Sequence, residues 1–371
     1  MPPVEAYIKK KFAEYYEAFS WRIEGPAEIE KREFGFILFK EKIMVRHRSF
    51  KNVEVLRSFI KTVVPSDAYY SSAYYLRPEE DMKGKGWLGA ELIFDIDADH
   101  IDTPCKEEHD YWMCIKCGRS GMGLAPEACP KCGEGKIQGE TWICRSCLER
   151  AKEETLKLVR FLMEDFGFDA NDVSVYFTGH RGYHVHINAK EILDLGSEER
   201  KEIIDYVMGN GIDLSLIEQG GRHGWGKRVA LAMEEFNSSQ GALRRGRGVK
   251  KKAKFVKAFV KEKSVNIDAV VTMDLHRLIR LPETLNSKTG LRVVKVELSK
   301  LREFDPFSEA LAVTNGEEEI RVIKAPKFSL GGREFGPYEE GRVVHLPMAA
   351  ALFLMCKGKA EPVEERVRKL V

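Results

Sequence analysis

The chain has no run of 18 consecutive apolar residues, and its most hydrophobic stretch, MAAALFLM at 348–355, is long enough only for a buried helix. The first 40 residues interleave acids, bases and aromatics, with neither a signal-peptide hydrophobic core nor a cleavage pattern. These absences argue against a membrane span and against export, so an intracellular, cytoplasmic protein is expected. Net charge is nearly absent as well: 60 Lys and Arg against 58 Asp and Glu leave +2, so the total names no polyanionic partner. Fixed-period repeats and long low-complexity linkers are missing too, which favours inserted lobes in one body over beads on a string. Cysteine is scarce outside one segment: seven of the eight lie between 105 and 147. In a chain without an export signal that clustering points to metal rather than disulfides. The eighth, Cys356, sits in an apolar run and reads as a buried, inert thiol.

The 371 residues, 43% hydrophobic and 32% charged, suffice to bury a core beneath a charged surface. At about 150 residues per domain, two or three domains are expected. VEAYIKKKFAEYYEAF at 4–19 places aromatics at helical spacing, and FGFILF at 34–39 with KIMVRHRSF at 42–50 reads as a hairpin or two neighbouring strands. A helix near 53–63, a strand or turn at 68–76 and an acidic strand at 90–97 follow. AKEETLKLVRFLMEDFGF at 151–168 is an amphipathic helix ending near Gly167, and VSVYFTG at 173–179 and YHVHIN at 183–188 flank a tight loop as a hairpin would. RVVKVELS at 292–299 and EEEIRVIKAPKFSL read as later strands. The expected class is α/β (α+β), with a core over 1–196 interrupted by a zinc-binding insertion at 102–150. A mostly helical insertion at 197–262, a return to the core at 263–345 and a helical tail at 346–371 complete it.

The most specific motif is CIKCGRSGMGLAPEACPKCG at 114–133, in which Cys114 and Cys117 precede Cys129 and Cys132. Two such turns close around a tetrahedral zinc ion. Cys105, His109, Cys144 and Cys147 then make a second four-ligand set. A different pairing, Cys105, His109, Cys114 and Cys117 against Cys129, Cys132, Cys144 and Cys147, fits the spacing equally. Neither leaves an open coordination position, so either marks structural zinc.

ELIFDIDADH at 91–100 raises a different question, because side chains alternate along a strand. Asp95 and Asp97 therefore point one way while Phe94 and Ile96 point the other, and two like charges on one face call for a cation or a proton between them. Hard oxygen ligands suit magnesium or manganese; a salt-bridged pair at a strand edge is the plainer reading. FTGHRGYHVHI at 177–187 gathers Thr178, His180, Arg181 and His184 around two glycines, a turn able to hold phosphate. Farther on, NIDAVVTMDLHRLIRLPETLNSKTGL at 266–291 offers Asp268 or Asp274 as a third acid, with Arg277, Arg280 and Lys288 beyond. Residues 241–263 hold ten Lys or Arg and one acid, a local footprint for nucleic-acid phosphates or simply a solvated face. The aromatic-rich stretch 68–76 suits base stacking or core packing alike.

With these motifs in order, the chain resembles the catalytic small subunit of archaeal/eukaryotic-type DNA primase, in its archaeal form. FDID resembles the family's paired acids, so the resemblance makes Asp95 and Asp97 metal ligands. TGHRGYH resembles its serine-glycine-arginine-glycine-histidine signature, with Thr178 in place of serine, Arg181 and His184 as nucleotide-binding residues and His180 at an added position. The acid before RLIRLP is then Asp268 rather than Asp274, Arg280 and Lys288 meet phosphates, and Asn286 stands where the family presents a nucleotide-contacting histidine. The family's zinc module ends just before a helix, which supports grouping Cys105, His109, Cys144 and Cys147; the extra four-cysteine ribbon departs from the shorter archaeal arrangement.

The resemblance implies a core with an RRM-like sheet, an inserted zinc-binding module and a smaller helical domain. It implies nucleotidyl transfer by two magnesium or manganese ions on Asp95, Asp97 and Asp268, making primers from NTPs, or dNTPs, on single-stranded DNA. A large subunit with an iron-sulfur domain is the implied partner, at replication sites of an archaeal-type cell. Two rivals remain: a related primase-polymerase or repair polymerase that extends existing ends, and a non-catalytic zinc-dependent nucleic-acid-binding protein.

Overall fold

Aromatics three and four positions apart give the first helix one apolar side. In the computed structural model, which describes residues 3–40, 43–212, 221, 223–239 and 248–363, α1 (Pro3–Phe19) buries Tyr7, Ile8, Phe12, Tyr15 and Tyr16. The expected hairpin follows as β1 (Phe34–Ile37) and β2 (Met44–Arg48), antiparallel. Next comes α2 (Val53–Val63), whose N-cap Asn52 accepts the Val55 N–H through its side-chain oxygen at 3.0 Å. The tyrosine-rich stretch divides into β3 (Asp67–Ser71) and β4 (Ala73–Tyr75); β4 pairs with β5 (Trp87–Ala90). The acidic strand is β6 (Leu92–Asp97).

The cysteine-rich segment folds as a short helix, α3 (Lys106–His109), and a three-stranded sheet of β7 (Tyr111–Cys114), β8 (Ser120–Met122) and β9 (Ile137–Glu140), with β7 in the middle. It leads into α4 (Arg145–Glu164), which begins at Arg145 instead of 151 because Cys144 is its N-cap and the Cys144–Cys147 pair occupies its first turn. Then come β10 (Val173–Phe177) and β11 (Gly182–Ile187), the helices α5 (Ser197–Met208), α6 (Gly224–Ser239), α7 (Gly248–Lys263) and α8 (Ala269–Met273), and the strands β12 (Leu278–Arg280) and β13 (Val294–Val296). Part of the basic 241–263 stretch, residues 241–247, lies outside the described residues.

A small antiparallel sheet (Glu317–Val322, Val343–Pro347, Ala360–Pro362) and the apolar helix Met348–Cys356 close the described chain. The segment after 346 is therefore not all helix. Gly358, at φ +66, donates its N–H to the Met355 carbonyl, ends the helix and returns the chain to the sheet; residues 364–371 lie outside the described residues.

Two four-stranded antiparallel sheets build the body, in the orders β12-β3-β1-β2 and β13-β10-β11-β6. In the second, β6, the helix α4 and the pair β10–β11 follow one another with β11 lying between β10 and β6, as in an RRM-like sheet. Its apolar face holds Phe94, Ile96, Val175, Phe177, Val185 and Ile187, all buried, against Ala151, Leu158 and Leu162 of α4. Each such large side chain contributes about 1.5–3 kcal/mol. This burial anchors the strands firmly enough for their opposite face to carry charge.

Candidate active site

Register brings the charged groups together. Across β11 and β6, His184 lies opposite Asp95 and Gly182 opposite Asp97. A Cβ at Gly182 would come within 2.0 Å of the Ile96 carbonyl oxygen, so this close pairing requires glycine. Asp268 arrives from another part of the chain: its N–H donates to the Asp95 carbonyl at 2.9 Å, and its carboxylate caps α8 by accepting the Val270 N–H at 3.0 Å. Asp274 sits at the other end of α8, where its carboxylate accepts the His276 N–H at 2.9 Å.

A cavity of about 210 Å³ opens over Asp95 and Asp97; Asp268 lies next to Asp95 but is not among its lining residues. Asp95, Asp97 and His184 form one wall, and Tyr69, Arg277 and Arg280 come from β3 and the β12 region. Thr178, His180 and Arg181 of the β10–β11 turn and Lys288 also line it. Asn286 is not among the lining residues. It is fully buried; its side-chain amide donates to the Thr178 carbonyl at 3.1 Å and its side-chain oxygen accepts the Lys288 N–H at 3.0 Å, so it joins the two phosphate-type turns. A larger recess of about 740 Å³, lined by Glu91, Tyr176 and His186 among others, holds none of the three acids. His186 is buried there, 4.5 Å from the Tyr176 ring centroid, with no hydrogen bond to its Nε2.

The charges are strongly coupled. Burial first, and then the neighbouring Asp268 carboxylate, push the Asp95 carboxyl up to about 6. Its Oδ1 is buried without a hydrogen bond, and His184 Nε2 stands 3.5 Å away. Burial pushes His184 down to about 4, leaving it neutral at pH 7, so it does not neutralise that carboxylate. Asp97 is also raised, by burial and then by Asp95. On the opposite side, burial followed by the charges of Lys357, Arg181, Lys288 and Arg280 drives His180 well below its ordinary value, the mark of a positive field. A buried carboxylate oxygen with no donor, beside a second carboxylate, fits a hard divalent cation, and the positive side fits an anion.

Two of the cations are held by acids in this state. Arg181 bridges Asp97 at 2.7 Å and Asp99 at 2.6 Å, and Arg280 pairs with Asp67 at 2.6 Å while lying over the Tyr69 ring. Arg277 and Lys288 have no carboxylate partner among the described residues. Asp67, Tyr69 and Arg277 are thus site residues that motif reading left unassigned, and Asp99, which the sequence reads as the exit loop of the acidic strand and outside the site, joins them through Arg181. Asp99 had a signal in its place one turn beyond the acidic strand, but the bridging role depends on Arg181, which is remote in sequence.

The cysteines separate into two compact donor sets: Cys105, His109, Cys144 and Cys147, and Cys114, Cys117, Cys129 and Cys132, each with ligand atoms within 4.8 Å of one another. Sulfur separations of 3.5–3.7 Å match the edge of a tetrahedron built on a Zn–S bond of about 2.3 Å. His109 Nδ1 bonds Asp110 at 2.8 Å, which directs Nε2 to the metal side, 3.4 Å from Cys147 Sγ. Both sets fit structural zinc, and the β7–β9 sheet decides between the two pairings by bringing the ends of its own loops together.

Carboxylates on one side of a small cavity and cations on the other suit a metal-bound polyphosphate, which places the chain among nucleotide-handling enzymes. Residues 132–298 match the family model of the DNA primase small subunit. The chain is 38% identical to the DNA primase small subunit PriS of Archaeoglobus fulgidus, over 95% of this chain and 97% of that protein. It is 36% identical to PriS of Cenarchaeum symbiosum over the same shares, and 36% identical to PriS of Pyrobaculum aerophilum over 92% of this chain and 95% of the relative. The chain belongs to the DNA primase small subunit family.

Proposed function

We propose that this chain is the catalytic subunit of a primase, joining nucleoside triphosphates into short primers on single-stranded DNA for replication. The observation that carries the reading is the opposition inside one cavity: Asp95, with its unpartnered buried oxygen beside Asp268, faces the cations that surround His180. Asp95, Asp97 and Asp268 would hold two magnesium or manganese ions, which when bound activate the attacking hydroxyl and neutralise the transferring phosphoryl group. Lys288 and Arg277 meet incoming phosphates directly. Arg181 and Arg280 exchange Asp99 and Asp67 for phosphate oxygens, trading one charge-assisted contact for another. Neutral His180 supplies a hydrogen-bond donor from the same turn, which the Thr178 hydroxyl closes by donating to the Gly182 carbonyl at 3.1 Å. Neutral His184 stands beside Asp95 on the acidic wall, its Nε2 3.5 Å from Asp95 Oδ1, and Asn286 keeps the Lys288 turn against Thr178. No covalent enzyme intermediate is needed; positioning and charge stabilisation carry the reaction.

Each of the relatives is a small subunit, which supports a heterodimer with a large subunit, for which the resemblance supplies an iron-sulfur domain. The helix α7, with the basic residues before it, tracks template phosphates, each contact adding about one unit to the salt dependence of binding. In this reading 102–150 is the zinc module and 197–262 a helical insertion in one catalytic body.

The test is incorporation on unprimed single-stranded DNA in magnesium or manganese, with the chain alone and with its large subunit. New primers, lost in Asp95→Asn, Asp97→Asn and Asp268→Asn with zinc content intact, are expected. Extension of supplied primers without initiation favours the extending polymerase, and DNA binding without any incorporation favours the non-catalytic zinc protein.

A further inference from the structure

The sheet that carries Asp95 and Asp97 has a second half on the same face. Alternation turns Val175, Phe177, Val185 and Ile187 inward, so Ser174, Tyr176, His184 and His186 share the outer face with the two acids. Register sets Tyr176 opposite His184, and Lys295 of β13 opposite Tyr176. The two histidine rings stack at 6.1 Å, yet His184 lines the small cavity over Asp95 and Asp97 while His186 lines the recess of about 740 Å³. Two residues of strand rise, about 7 Å, separate them.

Rings and unused hydrogen-bonding groups make up much of this recess. Tyr176 and His186 line it with centroids 4.5 Å apart, Tyr70 enters from β3, and Trp21, 64% exposed, stands at its rim. Arg22 lies over the Trp21 ring at 5.3 Å; neither it nor Lys295 has a carboxylate partner among the described residues, whereas Arg292 is taken by Glu283 at 2.7 Å. Burial first, and then the His184 ring, hold His186 well below its ordinary value, so it is neutral at pH 7. Its Nδ1 faces the Glu91 carboxylate at 3.7 Å, which favours the proton on that nitrogen. Nε2 is then a buried acceptor, and it has no donor.

We propose that this recess is a second nucleotide-binding site, which takes an unpaired base against Tyr176 and His186 and its phosphate at Lys295 or Arg22. Every unpaired base carries an N–H donor on its pairing edge, the group that Nε2 lacks; in a duplex that donor is already used. Glu24 and Asp172, also in the lining, accept from further amino groups, so the recess is more than an anion trap. Rings on the open face of an RRM-like sheet are suited to stacking on single-stranded bases. The proposal rests on the nucleic-acid substrate of the primase reading, and a nucleotide of the template strand or a free nucleoside triphosphate offers the same chemistry.

The experiment uses zinc-loaded protein without added magnesium, a short single-stranded oligonucleotide, the same sequence as a duplex, and ATP. Affinity is read from the anisotropy of labelled DNA, and contact from the Trp21 fluorescence, with Trp21→Phe as its blank. Single-stranded DNA should quench Trp21, and Trp21→Ala should weaken its binding about 5- to 100-fold, the range for one stacked base. Lys295→Met should lower the salt dependence by about one unit. His186→Phe, which keeps a ring on Tyr176, should weaken single-strand binding and leave duplex binding as in the parent. Quenching by ATP in place of the oligonucleotide supports the same site with free nucleotide as its occupant. Trp21 and Lys295 are exposed, so their variants decide the matter should His186→Phe fail to fold. Parent affinity in the variants, or no quenching of Trp21 by DNA or ATP, overturns the second site, and primer synthesis by the same protein leaves the primase reading standing. A parent that neither binds single-stranded DNA nor incorporates nucleotide ends both.

Discussion

Replacing Asp95 by Asn separates what the site needs from what the fold prefers. Asp95 is pushed from 3.8 to about 6 by burial and by Asp268. In the unfolded chain the same carboxyl ionises near its ordinary value, so between pH 3.8 and about 6 the folded state holds a proton that the unfolded state has released. Stability therefore falls as pH rises through that window, and the whole cost is present above it. At about 1.4 kcal/mol per pH unit, the cost reaches about 3 kcal/mol. Asparagine has the same shape, carries no charge, and gives up no hydrogen bond at Oδ1, which accepts none. In zinc-loaded, magnesium-free protein, Asp95→Asn should thus be more stable than the parent by about 2–3 kcal/mol at pH 8, with the difference closing towards pH 4. Urea midpoints at the two pH values measure it. Magnesium should stabilise the parent and not the variant, and primer synthesis by the variant should be lost. A variant less stable at pH 8, or a difference independent of pH, would refute the reasoning.

The two zinc sets should respond unequally. Cys147 is fully buried in the main core at the first turn of α4, whereas Cys132 is exposed, so Cys147→Ser should halve zinc content and lower the melting temperature sharply, while Cys132→Ser should halve zinc content with a small thermal change; metal analysis and calorimetry distinguish them. Gly182→Ala forces a methyl to within 2.0 Å of the Ile96 carbonyl oxygen, and a loss of about 3 kcal/mol or more in denaturant stability is expected, with activity lost through the displaced Asp97. Asn286→Asp removes the donor to Thr178 and buries a carboxylate against a carbonyl, which should cost about 2–3 kcal/mol and raise the KM for nucleotide; an unchanged KM would remove Asn286 from the link between the turns.

Much of the site is legible because it depends on local periods. Strand alternation puts Asp95 and Asp97 on one face, with Phe94 and Ile96 buried on the other, and the two glycines of TGHRGYH mark a turn that only a small residue can make beside Asp97. Spacing alone leaves Asp268 and Asp274 equivalent. They part in the fold, where the Asp268 N–H bonds the Asp95 carbonyl while Asp274 turns to His276. What remained hidden depends on distant segments meeting. Asp67 engages Arg280, and Asp99 engages Arg181. Neither of these pairings has a period or a spacing. The early start of α4 was hidden for a related reason: Arg145, Ser146 and the Cys144–Cys147 pair read as part of a metal loop, yet they form its cap and first turn.

The most direct test of the account is where ions and nucleotide lie together. Crystals soaked with manganese and a non-hydrolysable nucleoside triphosphate, read by anomalous scattering, should place manganese in contact with Asp95, Asp97 and Asp268, with the triphosphate running towards Lys288. Manganese bound only elsewhere, or a triphosphate bound outside the cavity between the acids and His180, would contradict it.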